Sequence, residues 1–210
     1  MIPGPTIIRE CSACGKYIAE GTIVSGNTFG ARLWTDGKLD APMLPDEPRL
    51  VKCRHCGSLV WIEEEKQVGE IDPWCSENPG NDAFEDARPA KTPTLRDYVG
   101  FLKAGISDKE KERYVRLRAW WAGNDGRRKS NKTKPLTSFE SNNLRTFATL
   151  LPEADDNDRL MKAEAHRELG QFEEADKLLA TEFESEFAKV VSTIRELNEK
   201  RNTGVAEIIE

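Results

Sequence analysis

Four of the five cysteines stand in two C-x2-C-G motifs, Cys11-x2-Cys14-Gly15 and Cys53-x2-Cys56-Gly57, with 38 residues between Cys14 and Cys53. Two thiols separated by two residues can, in a tight turn, direct both sulfurs at one ion. The glycine that follows lets the backbone take positive φ, so that backbone N–H groups can donate to the sulfurs. Two such turns supply Cys11, Cys14, Cys53 and Cys56 as four thiolates, a donor set suited to tetrahedral zinc. Four protein ligands leave no position for water or substrate, so the expected cofactor is one structural Zn2+ and not a catalytic metal. His55 sits inside the second motif, but four thiols already complete the shell, so it falls outside the set. Cys75 has no partner motif and reads as a free thiol.

Little else in the chain is suited to catalysis. There are two histidines, His55 and His166, in contexts that suggest no shared site. Nucleophile elbow, P-loop, dinucleotide and zinc-protease motifs are all missing from the sequence, so no catalytic residue is assigned and no enzyme is expected. A second candidate chemistry is electrostatic. The net charge is −6, yet eleven Lys/Arg face four Asp/Glu between Val99 and Lys134. Arg113, Arg116 and Arg118 on one helix, with Arg127, Arg128, Lys129, Lys132 and Lys134 in a following basic loop (Gly123 to Pro135), could contact phosphates. The competing reading is a solvated surface, with the acidic segment from Leu150 to Glu210 as its intramolecular counterweight.

The elements that must position these residues differ between the two halves. Residues 1–72 carry short apolar or β-branched runs (Thr6–Ile8, Thr22–Val24, Ala31–Trp34, Leu50–Val51, Leu59–Ile62) divided by glycine and proline, and Asp36-Gly37 is a tight-turn signal. Residues 73–93 hold four prolines without periodicity and read as a linker, with Trp74 and Phe84 as candidate anchors. Residues 94–210 turn helical, with capping-box patterns at Thr94, Ser107 and Thr137. One helix should end near Ala122, and Phe183 to Leu197 should form one long amphipathic helix. About five or six antiparallel helices follow from this pattern. The fold class expected is therefore segregated α+β: a small β-rich domain (1–72), a linker (73–93) and an all-α domain (94–210).

Two resemblances sharpen the expectation. After the second knuckle, SLVWIEEE is β-rich and does not open a helix, and residues 9–62 resemble the broad zinc-ribbon class. The stretch AEAHRELGQFEEADKLLA resembles the inter-helix part of a tetratricopeptide repeat at Ala165, Leu169, Gly170, Phe172, Ala175 and Leu179. It covers roughly one repeat, and an ordinary αα-hairpin is an equal alternative. If the likeness is real it implies protein binding through a helical face. The layout as a whole resembles small bacterial proteins to which no activity is attached. No cationic and apolar leader opens the sequence and no apolar run approaches membrane-spanning length, so a cytoplasmic protein with no membrane association is expected. The partner expected is another protein; nucleic acid, reached through the basic region, is the alternative.

Overall fold

A computed structural model describes residues 1–74, 82–129 and 134–209. The chain is segregated α+β: among the described residues strands dominate the N-terminal part and six α-helices follow. It divides into two compact units, one of residues 1–31 and 40–93, the other of residues 32–39 and 94–210.

In the first unit β1 (Ile2–Glu10) and β2 (Tyr17–Ser25) form an antiparallel hairpin, with Glu10 opposite Tyr17, so the chain reverses through the first cysteine motif. A second hairpin, β5 (Leu50–Lys52) and β6 (Leu59–Trp61), reverses through the second motif. The expected run Leu59–Ile62 becomes β6 and then a 3-10 turn, Ile62–Glu64. Strand β7 (Lys66–Ile71) pairs with the other edge of β1, and the two-residue β8 (Arg88–Pro89) lies parallel to β2, giving the order β7-β1-β2-β8. The core is small: Ile18, Val51, Val60 and Ile62 close around Cys11 and Cys53. Part of the segment read as a linker is thus woven into this unit. Phe84 meets Tyr17 edge-on at 5.3 Å and lies over Gly69, where a Cβ would come within 2.2 Å of its ring. The other expected anchor, Trp74, is instead 72% exposed.

The second unit is built from α1 (Leu95–Ala104), α2 (Lys109–Arg128), α3 (Ser138–Thr149), α4 (Asp156–Glu168), α5 (Phe172–Leu179) and α6 (Ala188–Glu199). Thr94 with Asp97 and Thr137 with Glu140 form reciprocal capping boxes. For α2 the cap is Asp108 and not Ser107, its carboxylate accepting from the N–H groups of Glu110 and Lys111. Each helix packs on its neighbours in sequence, and α4 also touches α6. Gly170 takes φ 74° in the α4–α5 turn, a conformation that glycine adopts without strain. One core joins Trp120, Leu144, Phe147, Ala148, Leu151 and Ala165; a second joins Leu160, Ala163, Leu178, Leu179, Val191 and Ile194.

Two helix boundaries differ from the sequence reading. Helix α2 does not stop at Ala122 but runs on through GNDGRR to Arg128. Glycines in a helix cost about 1 kcal/mol each, but Gly123 admits the Glu140 carboxylate, which a Cβ would meet at 2.5 Å. That carboxylate then pairs with Arg127 at 2.7 Å, one turn further along α2. At the other end, Phe183 precedes α6, which begins at Ala188 after a 3-10 turn at Ser185–Phe187. Residues 32–39 belong with the helices: β3 (Arg32–Trp34) lies between β4 (Leu39–Asp40) and the C-terminal β9 (Glu207–Ile208).

Candidate metal centre

Each cysteine motif closes the same way. In the first, the N–H groups of Cys14 and Gly15 donate to the Cys11 carbonyl at 3.2 and 2.7 Å; in the second, Gly57 N–H donates to the Cys53 carbonyl at 2.9 Å. Gly15 (φ 67°) and Gly57 (φ 78°) hold the left-handed conformation these turns require. The two hairpin tips bring the four sulfurs within 4.8 Å of one another. Cys11 to Cys56 is 4.0 Å and Cys14 to Cys53 is 3.9 Å. A tetrahedron with metal–sulfur bonds of about 2.3 Å has edges of about 3.8 Å, so one ion compatible with zinc fits with little adjustment.

The surroundings suit a metal more than free thiols. Burial pushes the Cys11 thiol up to about 12, while the Ser58 hydroxyl and N–H hold Cys56 down at about 6. A bound cation would remove the proton that burial keeps on Cys11. Cys11 and Cys53 are buried, whereas Cys14 and Cys56 are exposed. Glu65, itself buried, grips the first knuckle: its carboxylate accepts from Ser12 N–H at 2.5 Å and from the Ser12 hydroxyl at 2.9 Å. His55 is exposed, with Nε2 3.2 Å from the Tyr17 carbonyl, and takes no part in the sulfur cluster. Cys75 lies outside the described residues.

The basic candidates do not form one open surface. Arg113 pairs with Asp158, and Arg116 with Glu112 at 2.7 Å. Arg118 lies over the rings of Tyr114 and Trp121. Arg127 holds Glu140 and the carbonyls of Lys134 and Pro135. The Arg128 side chain is buried and binds Asp36, Asp125 and the Trp121 carbonyl. Lys129 and Lys134 are exposed, and Lys132 lies outside the described residues.

Arg128 belongs to a buried polar cluster that the sequence reading did not find. The Asp36-Gly37 turn, with Gly37 at φ 76°, places Asp36 in the interior of the helical unit. Asn124 Nδ2 bridges Asp36 (2.9 Å) and Glu168 (3.0 Å), Trp120 Nε1 donates to Glu168 at 3.0 Å, and Trp121 Nε1 donates to the Asp36 carbonyl at 2.9 Å. Close by, Arg167 forms a buried pair with Glu164 at 2.6 Å and donates to the Gly204 carbonyl at 2.9 Å. Three carboxylates thus meet two guanidinium groups. Burial, followed by the charges of Glu164 and Asp36, pushes Glu168 up to about 8, and burial likewise raises Asp36. A proton on Glu168 balances the cluster. No sequence motif announces it, because its members come from a turn and two helices far apart in the chain.

No protein-family model, curated protein or solved structure matches the chain. Among the described residues no helix is long and apolar enough to cross a membrane.

Proposed function

We propose that the chain is a non-enzymatic cytoplasmic adaptor, in which a zinc-ribbon-like unit is held by one structural Zn2+ and a helical unit, tetratricopeptide-like in its α4–α5 turn, binds another protein. The observation that carries this reading is the succession of helices α1 to α6, each packed on its neighbour in sequence, the arrangement by which helical arrays build extended binding faces. The sulfur cluster supports the non-catalytic part. If all four thiolates hold the ion, no coordination position remains for a substrate.

The nucleic-acid alternative finds less support. Arg113, Arg116, Arg127 and Arg128 are engaged with carboxylates of their own chain, and a phosphate would have to displace those partners. Crosslinking mass spectrometry on the intact chain in cell extract tests the adaptor reading. Crosslinks to a reproducible protein partner should concentrate on α3 to α6. Crosslinks confined to the cysteine-bearing unit would overturn it, as would salt-sensitive retention on RNA or DNA with no protein partner.

A further inference from the structure

Between α3 and the α4–α5 turn lies an open cleft of about 230 Å3, lined by Arg145, Ala148, Thr149, Lys162, His166 and Gln171. Three of these six side chains are basic and none is acidic, although this part of the chain is rich in Asp and Glu. Arg145 is exposed and makes no hydrogen bond or ion pair among the described residues. Among the described residues Lys162 holds only Glu153, at 2.7 Å; the Lys162 side chain is 20% and the Glu153 side chain 58% exposed. A pair whose carboxylate is open to water contributes little and exchanges readily for a better acceptor. The His166 ring bonds through Nδ1 to Gln171 Oε1 at 2.8 Å. An amide oxygen only accepts, so Nδ1 carries the hydrogen and the bond fixes the ring against the α4–α5 turn. Ala148 is buried and supplies an apolar floor.

We infer that this cleft is a carboxylate-binding subsite for an acidic residue of a partner polypeptide, with Arg145 as its principal anchor. This rests on the protein-binding reading above and names the chemistry the partner must present. Size and charge both favour a single carboxylate. Small-molecule sites usually occupy about 300–1,000 Å3, so the cleft suits one side chain better than a whole metabolite. Of the two cations in the lining, Lys162 is paired with Glu153 and Arg145 has no carboxylate partner among the described residues, which leaves one positive charge unpaired. A carboxylate neutralises that charge, whereas a dianionic phosphate overshoots it. The planar guanidinium of Arg145 can hold both carboxylate oxygens.

The test is a titration of the intact, isotope-labelled protein followed by 15N–1H correlation spectra. Three probes are compared: acetyl-tetraglycine with a free C-terminus, the same peptide amidated, and an acetylated, amidated glutamate. Inorganic phosphate forms a fourth arm. Localised shifts at Arg145–Thr149 and Lys162–Gln171 are expected with the glutamate, and a response to the free C-terminus without one to the glutamate would overturn the assignment to an acidic residue. The amidated peptide should leave the spectrum unchanged. Arg145→Gln, at an exposed position, should keep the fold and weaken binding on the order of tenfold, as loss of a charge-assisted hydrogen bond does. No localised shifts, equal binding by Arg145→Gln, or a response to phosphate alone would overturn the subsite. If these outcomes appear while crosslinks to a protein partner persist on α3 to α6, the subsite fails and the adaptor reading stands.

Discussion

Replacing Asp36 with alanine should destabilise the helical unit far more than its place in an Asp-Gly turn suggests. The carboxylate is fully buried, pairs with a buried Arg128 and accepts from Asn124. Removing one partner of a buried pair costs about 3–5 kcal/mol, because the other charge stays behind in a low-dielectric site. Arg128 would keep Asp125 at 2.7 Å, but that side chain is 47% exposed and compensates only in part. A loss of about 3 kcal/mol follows, which at an m value of about 2 kcal/mol/M moves the urea midpoint down by about 1.5 M. The assay is urea unfolding followed by tryptophan fluorescence, since Trp34, Trp120 and Trp121 all belong to this unit. Arg128→Met and the double variant complete the cycle. If the pair acts as described, the double variant loses less than the two single losses together, by about 2 kcal/mol. A single-variant loss under about 1 kcal/mol, or additivity within about 0.5 kcal/mol, would refute the reasoning.

Two further outcomes follow from neighbouring features. Glu168 keeps its proton in the folded chain up to about pH 8 but loses it near 4.5 when unfolded, so its contribution is complete below about 4.5 and disappears as pH rises through 8. Thermal unfolding should therefore show a melting temperature that falls between pH 5 and pH 9, with a shallower fall in Glu168→Gln; equal slopes would contradict the assignment. Glu65→Ala removes the carboxylate that accepts from the Ser12 N–H and hydroxyl and should weaken metal affinity about tenfold or more, as losses next to metal ligands do. Glu65→Gln should fall between the two, measured by competition with a chromophoric chelator, and an affinity within twofold of the parent for both variants would exclude this positioning role.

The parts of the structure visible in the sequence are those written in local chemistry. The C-x2-C-G motifs identify both knuckles because the turn, the glycine and the sulfurs all lie within five residues of each other. The boxes at Thr94 and Thr137 are equally local, as is the Gly170 turn. What escapes is held by distant partners. Strand β7, KQVGEI, shows weak alternation and exists because β1 offers it an edge. GNDGRR looks like a loop until Glu140 and Glu168, from other helices, supply the contacts that keep it helical. Asp36 looks like an exposed turn residue, and only the packing of α2 and α4 around it shows that it is buried. The basic region misleads for a related reason: its charge is evident, but the carboxylates that occupy it lie elsewhere in the chain.

We propose that Cys11, Cys14, Cys53 and Cys56 together hold one zinc ion and that this ion is needed to fold the cysteine-bearing unit. Native mass spectrometry of the intact chain, paired with hydrogen exchange on Cys53→Ser, tests both halves at once. One zinc per chain is expected in the parent and none in the variant, with amide protection lost across β1, β2, β5 and β6 while α2 to α6 remain protected. A Cys53→Ser chain that keeps its zinc, or loses it with the strands still protected, would contradict this role for the four cysteines.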